Sequence, residues 1–250
     1  MFQPSVSLET NSRPESATEP AVVMEVWSDI ACPWCYIGKR RFAAALEKFE
    51  HRDRVRVVWR SYQLAPETPV GAGASELEAL ARHKGLPADQ IRQMFAHVAS
   101  TAAADGLTMD FDTVIAANTF DAHRLVHLAG DRGEDVMEAL FRAHFTDGRV
   151  VDDRDELVAI AAESGLDATA IRAALETDAA AEQVRGDIEE ARLLGVTGVP
   201  FFAANRAIGI SGAQPVEVFI QLLEQAYAQS GAIAVLGDDV GSCADDSCAV

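Results

Sequence analysis

Two cysteines separated by two residues lie where a strand pattern gives way to a helix pattern. Before Cys32 and Cys35, residues 22–27 are rich in β-branched and aromatic side chains, and after the pair apolar residues recur at helical spacing over residues 42–49. Backbone N–H groups in the first turn of a helix lack internal partners, and their partial positive charge stabilises a nearby thiolate. Because the thiolate is the nucleophile, this placement predicts that Cys32 attacks a disulfide and that Cys35 resolves the mixed disulfide.

The alternative interpretations of this pair are half of a zinc site and a structural disulfide. The chain has four cysteines, Cys32, Cys35, Cys243 and Cys248, and six scattered histidines. A structural zinc ion needs four ligands, and no second pair or histidine cluster stands at the required spacing. The sequence therefore favours redox exchange and predicts neither a metal nor a cofactor.

The two residues between the cysteines are expected to contribute to substrate binding. Pro33 fixes φ at the first helical position and removes an N–H that would otherwise need a partner. Trp34 offers an aromatic surface at the rim of the site, and simple packing is the other interpretation of this residue.

The charge and the apolar runs of the chain exclude several kinds of partner. A formal net charge of −18 argues against nucleic acid, whose phosphates demand a basic face, and it disfavours anionic membranes. The longest apolar runs are shorter than the roughly 18 residues that a membrane-spanning helix needs. Residues 1–20 contain no apolar stretch of signal-peptide length and are expected to form a disordered lead. The expected location is therefore the reducing cytoplasm, where a C-x-x-C pair is more often catalytic or metal-binding than structural.

The remaining patterns separate sheet-forming stretches from a helical stretch. Residues 54–62 alternate charged and apolar side chains and predict a second strand, parallel to the first. From about residue 75 to residue 194 helix formers dominate, and five or six helices are expected, with Asp153 and Asp167 as caps. An antiparallel hairpin is expected over residues 199–211, followed by a closing helix.

These stretches predict four parts. They are a disordered lead at residues 1–20, a sheet domain at residues 21–70 and 195–230, a helical insertion at residues 71–194, and an acidic C-terminal tail at residues 231–250. The tail carries Cys243 and Cys248, a candidate second redox pair that could exchange with Cys32. A metal-binding tail and a tail without a role are the alternatives.

Two motifs together resemble one protein family. Asp-x-x-Cys-Pro-Trp-Cys-Tyr-x-Gly occupies residues 29–38, and Gly-Val-Thr-Gly-Val-Pro-Phe-Phe occupies residues 195–202. In this combination the chain resembles the DsbA-like branch of the thioredoxin superfamily, and within it the cytoplasmic FrnE-type proteins. The resemblance implies an α/β fold in which a thioredoxin-like sheet carries a large all-helical insertion domain. It also implies thiol-disulfide exchange with protein or peptide substrates.

The resemblance also suggests roles for individual residues. Pro200 matches the cis-proline that faces the cysteine pair in thioredoxin-like folds, and Val199 matches the residue whose backbone receives an extended substrate segment. Family members place an acidic residue on the first strand, which makes Glu25 a candidate proton relay, whereas a solvated strand residue is the alternative. Asn118 and His123 lie in a segment that resembles one of FrnE-type proteins and would face the cysteine groove, while composition alone indicates a helix start there.

The sequence is compatible with three functions. The first is a protein thiol-disulfide oxidoreductase that can also isomerise disulfides. The second is a glutathione-dependent isomerase or transferase of the kappa-class type, acting on a small molecule. Such enzymes typically have Ser at the position of Cys32 and a Ser-Asp pair where this chain has residues 211–214, so both departures count against it. The third is a binding module that keeps the groove without catalysis.

Overall fold

The computed structural model describes residues 20–230, and one four-stranded sheet lies at its centre. The strands are β1 (Val22–Ser28), β2 (Val55–Ser61), β3 (Phe201–Ala204) and β4 (Ile208–Ser211). They lie in the order β2-β1-β3-β4, with β1 parallel to β2 and antiparallel to β3, and with β3 antiparallel to β4. The predicted parallel pair and the predicted hairpin are both confirmed. The predicted lead up to residue 19 and the predicted acidic tail with Cys243 and Cys248 lie outside the described residues.

Nine α-helices occur within residues 20–230. They are α1 (Pro33–Lys48), α2 (Glu76–Lys84), α3 (Ala88–Ala104), α4 (Phe120–Leu128), α5 (Gly133–Phe145), α6 (Arg154–Glu163), α7 (Ala168–Leu175), α8 (Ala181–Leu193) and α9 (Val216–Ser230). Short 3-10 helices at Arg52–Arg54 and Gly130–Arg132 precede β2 and α5. The long helical stretch predicted between the second and third strands is therefore present.

That stretch holds seven α-helices, whereas the sequence predicted five or six. Asp153 and Asp167 cap α6 and α7 as expected, because each carboxylate accepts backbone N–H groups of the first helical turn. The break between α7 and α8 is marked by neither glycine nor proline. It falls at Ala180, which takes a left-handed conformation with φ of 61°. A break of this kind leaves no signal in the sequence, so the predicted number was too low.

The β3–β4 hairpin turns through Asn205 and Arg206. Both have positive φ, 51° and 54°, and the N–H of Ala207 donates to the carbonyl of Ala204 at 3.0 Å. Two left-handed central residues give the turn whose twist matches that of the flanking strands. The side-chain oxygen of Asn205 also accepts the N–H of Val23 at 2.7 Å, which ties the turn to β1.

The two faces of β1 pack against different helices. Met24 and Val26 join a hydrophobic core beneath α1 and α9, in which the ring of Phe42 lies 5.5 Å from that of Phe202. Because successive side chains of a strand alternate between faces, the side chains at positions 25 and 27 point the other way. On that face Trp27 packs against α8. Both faces of the strand are therefore covered.

Asp187 of α8 is a polar link between the helices and the sheet. Its backbone carbonyl accepts the indole N–H of Trp27 at 3.0 Å. Its carboxylate accepts the N–H of Ser61 at 2.9 Å and the guanidinium of Arg60 at 3.0 Å, and it lies 2.9 Å from Nε2 of His127 in α4. Asp187 is buried, and these bonds hold α8 and α4 against β1 and β2.

Helix α1 takes part in two hydrophobic cores. Its C-terminal half belongs to the core of the sheet, whereas Tyr36 and Ile37 near its start belong to the larger core formed by the inserted helices. The ring of Tyr36 stacks on that of Phe141 in α5 at 5.0 Å. The helix that carries the cysteines is thus shared between the two predicted domains, whose boundaries stay a prediction. Within residues 20–230, no helix is long and apolar enough to cross a membrane.

Candidate active site

Cys32 caps the N-terminal end of α1. Its backbone is extended, with φ of −98° and ψ of 110°, and the helix begins at Pro33. The N–H of Cys35 donates to the carbonyl of Cys32 at 3.0 Å, so the second cysteine lies in the first turn. That turn contains no acidic residue, and the partial positive charge of the helix end is not offset there. The sulfur of Cys32 therefore lies where a helix favours negative charge.

The cysteine pair and the loop before β3 form one site. The peptide bond between Val199 and Pro200 is cis, as the resemblance implied. The thiol of Cys32 donates to the carbonyl oxygen of Val199 at 3.6 Å, across 167 residues of sequence. Gly38 of α1 faces the same loop, and a Cβ atom on this glycine would lie 2.9 Å from Cγ of Pro200. The glycine that ends the cysteine motif thus allows the proline to approach the helix.

Cys35 is the more deeply buried of the two sulfurs. Cys32 is 4% exposed and Cys35 is 1% exposed, and both are free thiols. Burial, followed by the neighbouring Cys32, raises the pKa of the Cys35 thiol well above its ordinary value. The N–H of Asp29 donates to Sγ of Cys35 at 3.5 Å and partly offsets this effect. The arrangement suits a first attack by Cys32 and a later attack by Cys35.

Pro33 and Trp34 lie partly exposed beside Cys32. The ring of Trp34 is 6.3 Å from that of His97 in α3, and the side chain also packs on the core of the inserted helices. Trp34 therefore does both things that the sequence suggested, since it packs and also leaves surface next to the sulfur. The part that these two residues play in substrate binding stays a prediction.

Glu25 is not placed beside the cysteines. Its carboxylate accepts the guanidinium groups of Arg60, at 2.6 Å, and of Arg206, at 2.5 Å. These two arginines hold the pKa of Glu25 below its ordinary value. The side chain points to the α8 face of β1, whereas α1 covers the other face. A carboxylate that is held ionised by two cations on the far side of the sheet does not suit the predicted proton relay, and the sequence could not reveal this because both faces of β1 are buried.

Asp29 is the acidic residue that the structure places next to the dithiol. It is buried, and its carboxylate accepts the N–H of Leu64 at 2.7 Å and the N–H of Ala31 at 3.3 Å. Nε2 of His123 lies 3.5 Å from the same carboxylate and 2.8 Å from the carbonyl of Tyr62, to which it donates. In the sequence Asp29 stands out only as the first residue of the cysteine motif. Its position three residues before Cys32 was the signal that could have singled it out.

Asn118 and His123 both lie near the site, in different roles. His123 reaches from α4 to Asp29, directly beneath the cysteine loop. Asn118 instead fixes the loop after β2, because its side-chain nitrogen donates to the carbonyl of Thr68 at 2.8 Å. Its side-chain oxygen accepts the N–H of Phe120 at 3.0 Å and thereby caps α4. Thr119 occupies the N-cap position of α4 but makes no side-chain bond to the helix.

A pocket of about 590 Å³ opens beside the cysteine loop. Asp29 and Ala31 form one wall, and Glu76 at the start of α2 forms another. Burial, followed by the negative charge of Asp29, raises the pKa of Glu76 to about 7. No sequence pattern pointed to Glu76. Within residues 20–230, no three His, Cys, Asp or Glu side chains are grouped so that they could hold a metal ion.

The chain matches the model of the DSBA-like thioredoxin domain over residues 23–224. It belongs to that family. This DSBA-like chain is 43% identical to a probable DsbA oxidoreductase from Streptomyces coelicolor, whose crystal structure superimposes with a TM-score of 0.81 over 92% of this chain and 99% of that chain. These findings confirm the predicted fold class, and they place the protein among the DsbA-like disulfide oxidoreductases.

Two further relatives are more distant. The DSBA-like chain is 27% identical over 207 residues to the uncharacterised protein YwbO of Bacillus subtilis, covering 79% of this chain and 94% of that protein. The cytosolic disulfide reductase DsbM from Pseudomonas aeruginosa, in a structure with GSH, is 22% identical and has a TM-score of 0.57 over 81% of this chain and 98% of that chain. The likeness to DsbM concerns the fold alone.

Proposed function

We propose that this protein exchanges thiols and disulfides with protein or peptide substrates and can isomerise their disulfides. The observation that carries the proposal is the contact between Cys32 and the carbonyl of Val199. It brings the sulfur at the N-terminal end of α1 against the loop that contains the cis peptide bond before Pro200. A nucleophile and an extended segment with backbone hydrogen-bonding groups are thereby adjacent, as an exchange centre for a polypeptide requires.

The proposed reaction proceeds in two attacks. The thiolate of Cys32 attacks a substrate disulfide, so that a bond forms between Cys32 and one substrate sulfur while the substrate disulfide breaks and the other sulfur leaves as a thiolate. Cys35 then attacks the sulfur of Cys32, forms the Cys32–Cys35 disulfide and releases the second substrate sulfur. The substrate gains two electrons and the enzyme loses two. The same steps in reverse oxidise a substrate dithiol.

Substrate recognition is proposed to be largely independent of side chains. An extended segment adds its backbone to that of Val199 as a further strand would, with Pro33 and Trp34 beside it. Val199 has an apolar branched side chain and adds no polar contact of its own. Recognition of this kind suits an enzyme that accepts many unfolded or flexible substrates.

A trapping experiment tests the proposal. In the Cys35→Ser variant the second attack is blocked, so mixed disulfides on Cys32 should accumulate when the reduced protein is mixed with oxidised protein substrates. Mass spectrometry should locate these adducts at Cys32, and the Cys32→Ser variant is the matched control that should form none. Absence of protein adducts on Cys35→Ser would refute protein disulfide exchange.

Glutathione is the alternative partner, because DsbM, which shares this fold, was solved with GSH. A glutathione-dependent reaction on a small molecule predicts that Cys35→Ser carries glutathione alone at Cys32 and no protein. The presence of both sulfurs in the site favours exchange over this alternative, since a transferase that only binds glutathione has no use for a resolving cysteine. The same mass spectra distinguish the two functions.

The second cysteine pair and the compartment complete the proposal. Cys243 and Cys248 are proposed to pass electrons to or from the Cys32/Cys35 pair. The proposed location is the cytoplasm, where glutathione and thioredoxin keep thiols reduced. Immunoblots of fractionated cells, combined with alkylation of reduced thiols, would test both the location and the resting redox state.

A further inference from the structure

The peptide bond between Ser28 and Asp29 has a fixed orientation beside the cysteine pair. Its N–H donates to Sγ of Cys35 at 3.5 Å. Its carbonyl oxygen, which belongs to Ser28, accepts the N–H of Tyr62 at 3.0 Å. Because the C=O and N–H of a trans peptide bond point in opposite directions, the bond to Tyr62 turns the N–H toward Cys35. A residue that holds Tyr62 in place therefore also fixes the donor that reaches the buried sulfur.

His123 of α4 contacts both residues that decide this orientation. Its Nε2 donates to the carbonyl of Tyr62 at 2.8 Å and lies 3.5 Å from the carboxylate of Asp29. Because a carbonyl oxygen can only accept, Nε2 is the ring nitrogen that carries hydrogen. His123 and Asp29 are both buried. Loss of a hydrogen bond at a buried position leaves its partner unsatisfied, so these contacts hold the two residues firmly.

Asp29 is also bonded to the loops on either side of it. Its carboxylate accepts the N–H of Leu64, in the loop after β2, at 2.7 Å. Its backbone carbonyl accepts the N–H of Cys32 at 3.0 Å. Asp29 thus connects the loop after β2 to the cysteine loop, and His123 adds a contact from the inserted helices to the same carboxylate. The distance between the N–H of Asp29 and the sulfur of Cys35 depends on all of these contacts.

The N–H of Asp29 contributes most when Cys35 attacks. Burial raises the pKa of the Cys35 thiol well above its ordinary value, and the N–H of Asp29 partly offsets this rise. During the attack on a mixed disulfide, the sulfur of Cys35 carries negative charge until it has bonded to Cys32. A fixed donor aimed at an atom on which charge develops stabilises the transition state. The contact therefore acts on the rate of resolution.

We propose that His123 is a positioning residue that aims the N–H of Asp29 at the sulfur of Cys35 for the resolving step. The inference rests on the proposed exchange function. In this step a bond forms between the sulfurs of Cys35 and Cys32, while the bond between Cys32 and the substrate breaks. The electron pair of the broken bond leaves with the substrate sulfur, so Cys35 is oxidised and the substrate sulfur is reduced. The proton of Cys35 ends on that leaving sulfur.

Single-turnover reaction with dithiobis(nitrobenzoate) separates the two attacks. The full-length chain with Cys243→Ser and Cys248→Ser is used, so that only Cys32 and Cys35 react. The first release of thionitrobenzoate reports attack by Cys32, and the second reports attack by Cys35 on the mixed disulfide. In His123→Leu, which has no donor, the second phase should be about tenfold slower while the first is unchanged. His123→Gln, whose amide nitrogen can replace Nε2 as the donor, should restore most of the second rate.

His127 provides the matched control. It lies one turn later on α4 and also contacts β2, but its partners are the hydroxyl of Ser61 at 3.0 Å and the carboxylate of Asp187 in α8 at 2.9 Å. His127→Leu removes comparable contacts between the helices and the sheet. It should lower the stability of the protein and leave the ratio of the two rates unchanged. A merely structural role of His123 predicts the same unchanged ratio for His123→Leu.

Asp29→Asn tests the same contact from its other end, also in the event that His123→Leu does not fold. The variant keeps the N–H but gives up one acceptor oxygen, so the second phase should again be slower. If Asp29 acted as a negative charge instead, the second phase should be faster, because a nearby negative charge disfavours the thiolate.

Two outcomes would overturn the inference. They are an unchanged ratio of the two rates in His123→Leu and a second phase that is not slowed in Asp29→Asn. In either case the proposed exchange function would stand, because both releases would still occur. If the protein with an unaltered His123 released no second thionitrobenzoate, the exchange function would be refuted, and the inference with it.

Discussion

Gly38 and Pro200 are in such close contact that a Cβ atom on the glycine would lie 2.9 Å from Cγ of the proline. The same ring is the one that follows Val199, whose carbonyl accepts the thiol of Cys32. Because residue 38 has no side chain, α1 and the loop that contains Pro200 can lie this close together. Any larger residue at position 38 has to move the loop away from the sulfurs.

Gly38→Ala should destabilise the protein by about 1 to 3 kcal/mol, because the added methyl group overpacks against a rigid ring. It should also slow disulfide exchange, since the loop that carries Val199 shifts. Urea unfolding and a disulfide reduction assay would measure the two effects. Gly186→Ala is the matched control, because a Cβ atom there meets nothing within 4 Å and the helix gains roughly 0.5 to 1 kcal/mol. Equal stabilities for the two variants would contradict the packing argument.

Arg124→Lys should destabilise the protein by about 3 kcal/mol or more, although the charge is conserved. The guanidinium is buried, pairs with Asp121 at 2.6 Å, and closes the turn between α7 and α8. It donates to the carbonyl groups of Ala174, Leu175, Thr177 and Ala179. A lysine ammonium cannot reach all of these acceptors. Chemical unfolding measures the loss, and Arg192→Lys, at an exposed ion pair, is the control that should leave the stability essentially unchanged.

His144 should make the protein less stable in mild acid. The ring is buried, and burial lowers its pKa to about 4 from the ordinary 6.5. Between these two values the unfolded chain binds a proton that the folded chain does not, so the free energy of unfolding falls by about 1.4 kcal/mol for each pH unit of acidification. His144→Leu should remove this component of the slope. Urea unfolding at several pH values measures it, with the exposed His83→Gln as the control; equal slopes for His144→Leu and the unaltered protein would refute the prediction.

Replacing both tail cysteines should slow turnover severalfold if the tail pair exchanges with the site. The double variant Cys243→Ser with Cys248→Ser leaves Cys32 and Cys35 intact. A change in turnover would therefore reflect only the loss of thiol-disulfide exchange with the tail pair. Turnover with a reductant and the redox equilibrium of Cys32/Cys35 with glutathione are the measurements. Equal turnover and equal equilibrium constants, with and without the tail cysteines, would show that the tail pair does not exchange with Cys32 and Cys35.

Local patterns in the sequence predicted much of the architecture. Each of these features depends on a few neighbouring residues and was found where the pattern predicted it: the strand-to-helix boundary at Cys32, the hairpin within residues 199–211, and the caps Asp153 and Asp167. Local chemistry of this kind is decided by backbone groups within one turn. Contacts with distant parts of the chain therefore do not change it.

The parts that the sequence did not reveal depend on distant contacts. β1 is buried on both faces, so no alternation of polar residues showed that Glu25 points away from α1. Asp29 meets His123 only after α4 has folded back on the cysteine loop, and Asp29 and Glu76 line the same pocket although 47 residues separate them in the sequence. The break at Ala180 is held by the carbonyl bonds of Arg124 and not by a local turn residue. In each case a partner far away in the sequence decides the outcome.

The bonds of Asp187 have a practical consequence for anyone who shortens this protein. A version spliced from residue 70 to residue 195 would keep every strand, yet the indole of Trp27 and the amide of Ser61 would lose their acceptor on α8, and the guanidinium of Arg60 would keep only Glu25. Its exposed sheet would also lack the apolar cover that Trp27 finds on α8. The inserted helices are therefore part of the structure that supports the sheet, and removing them would leave buried polar groups of β1 and β2 unpaired.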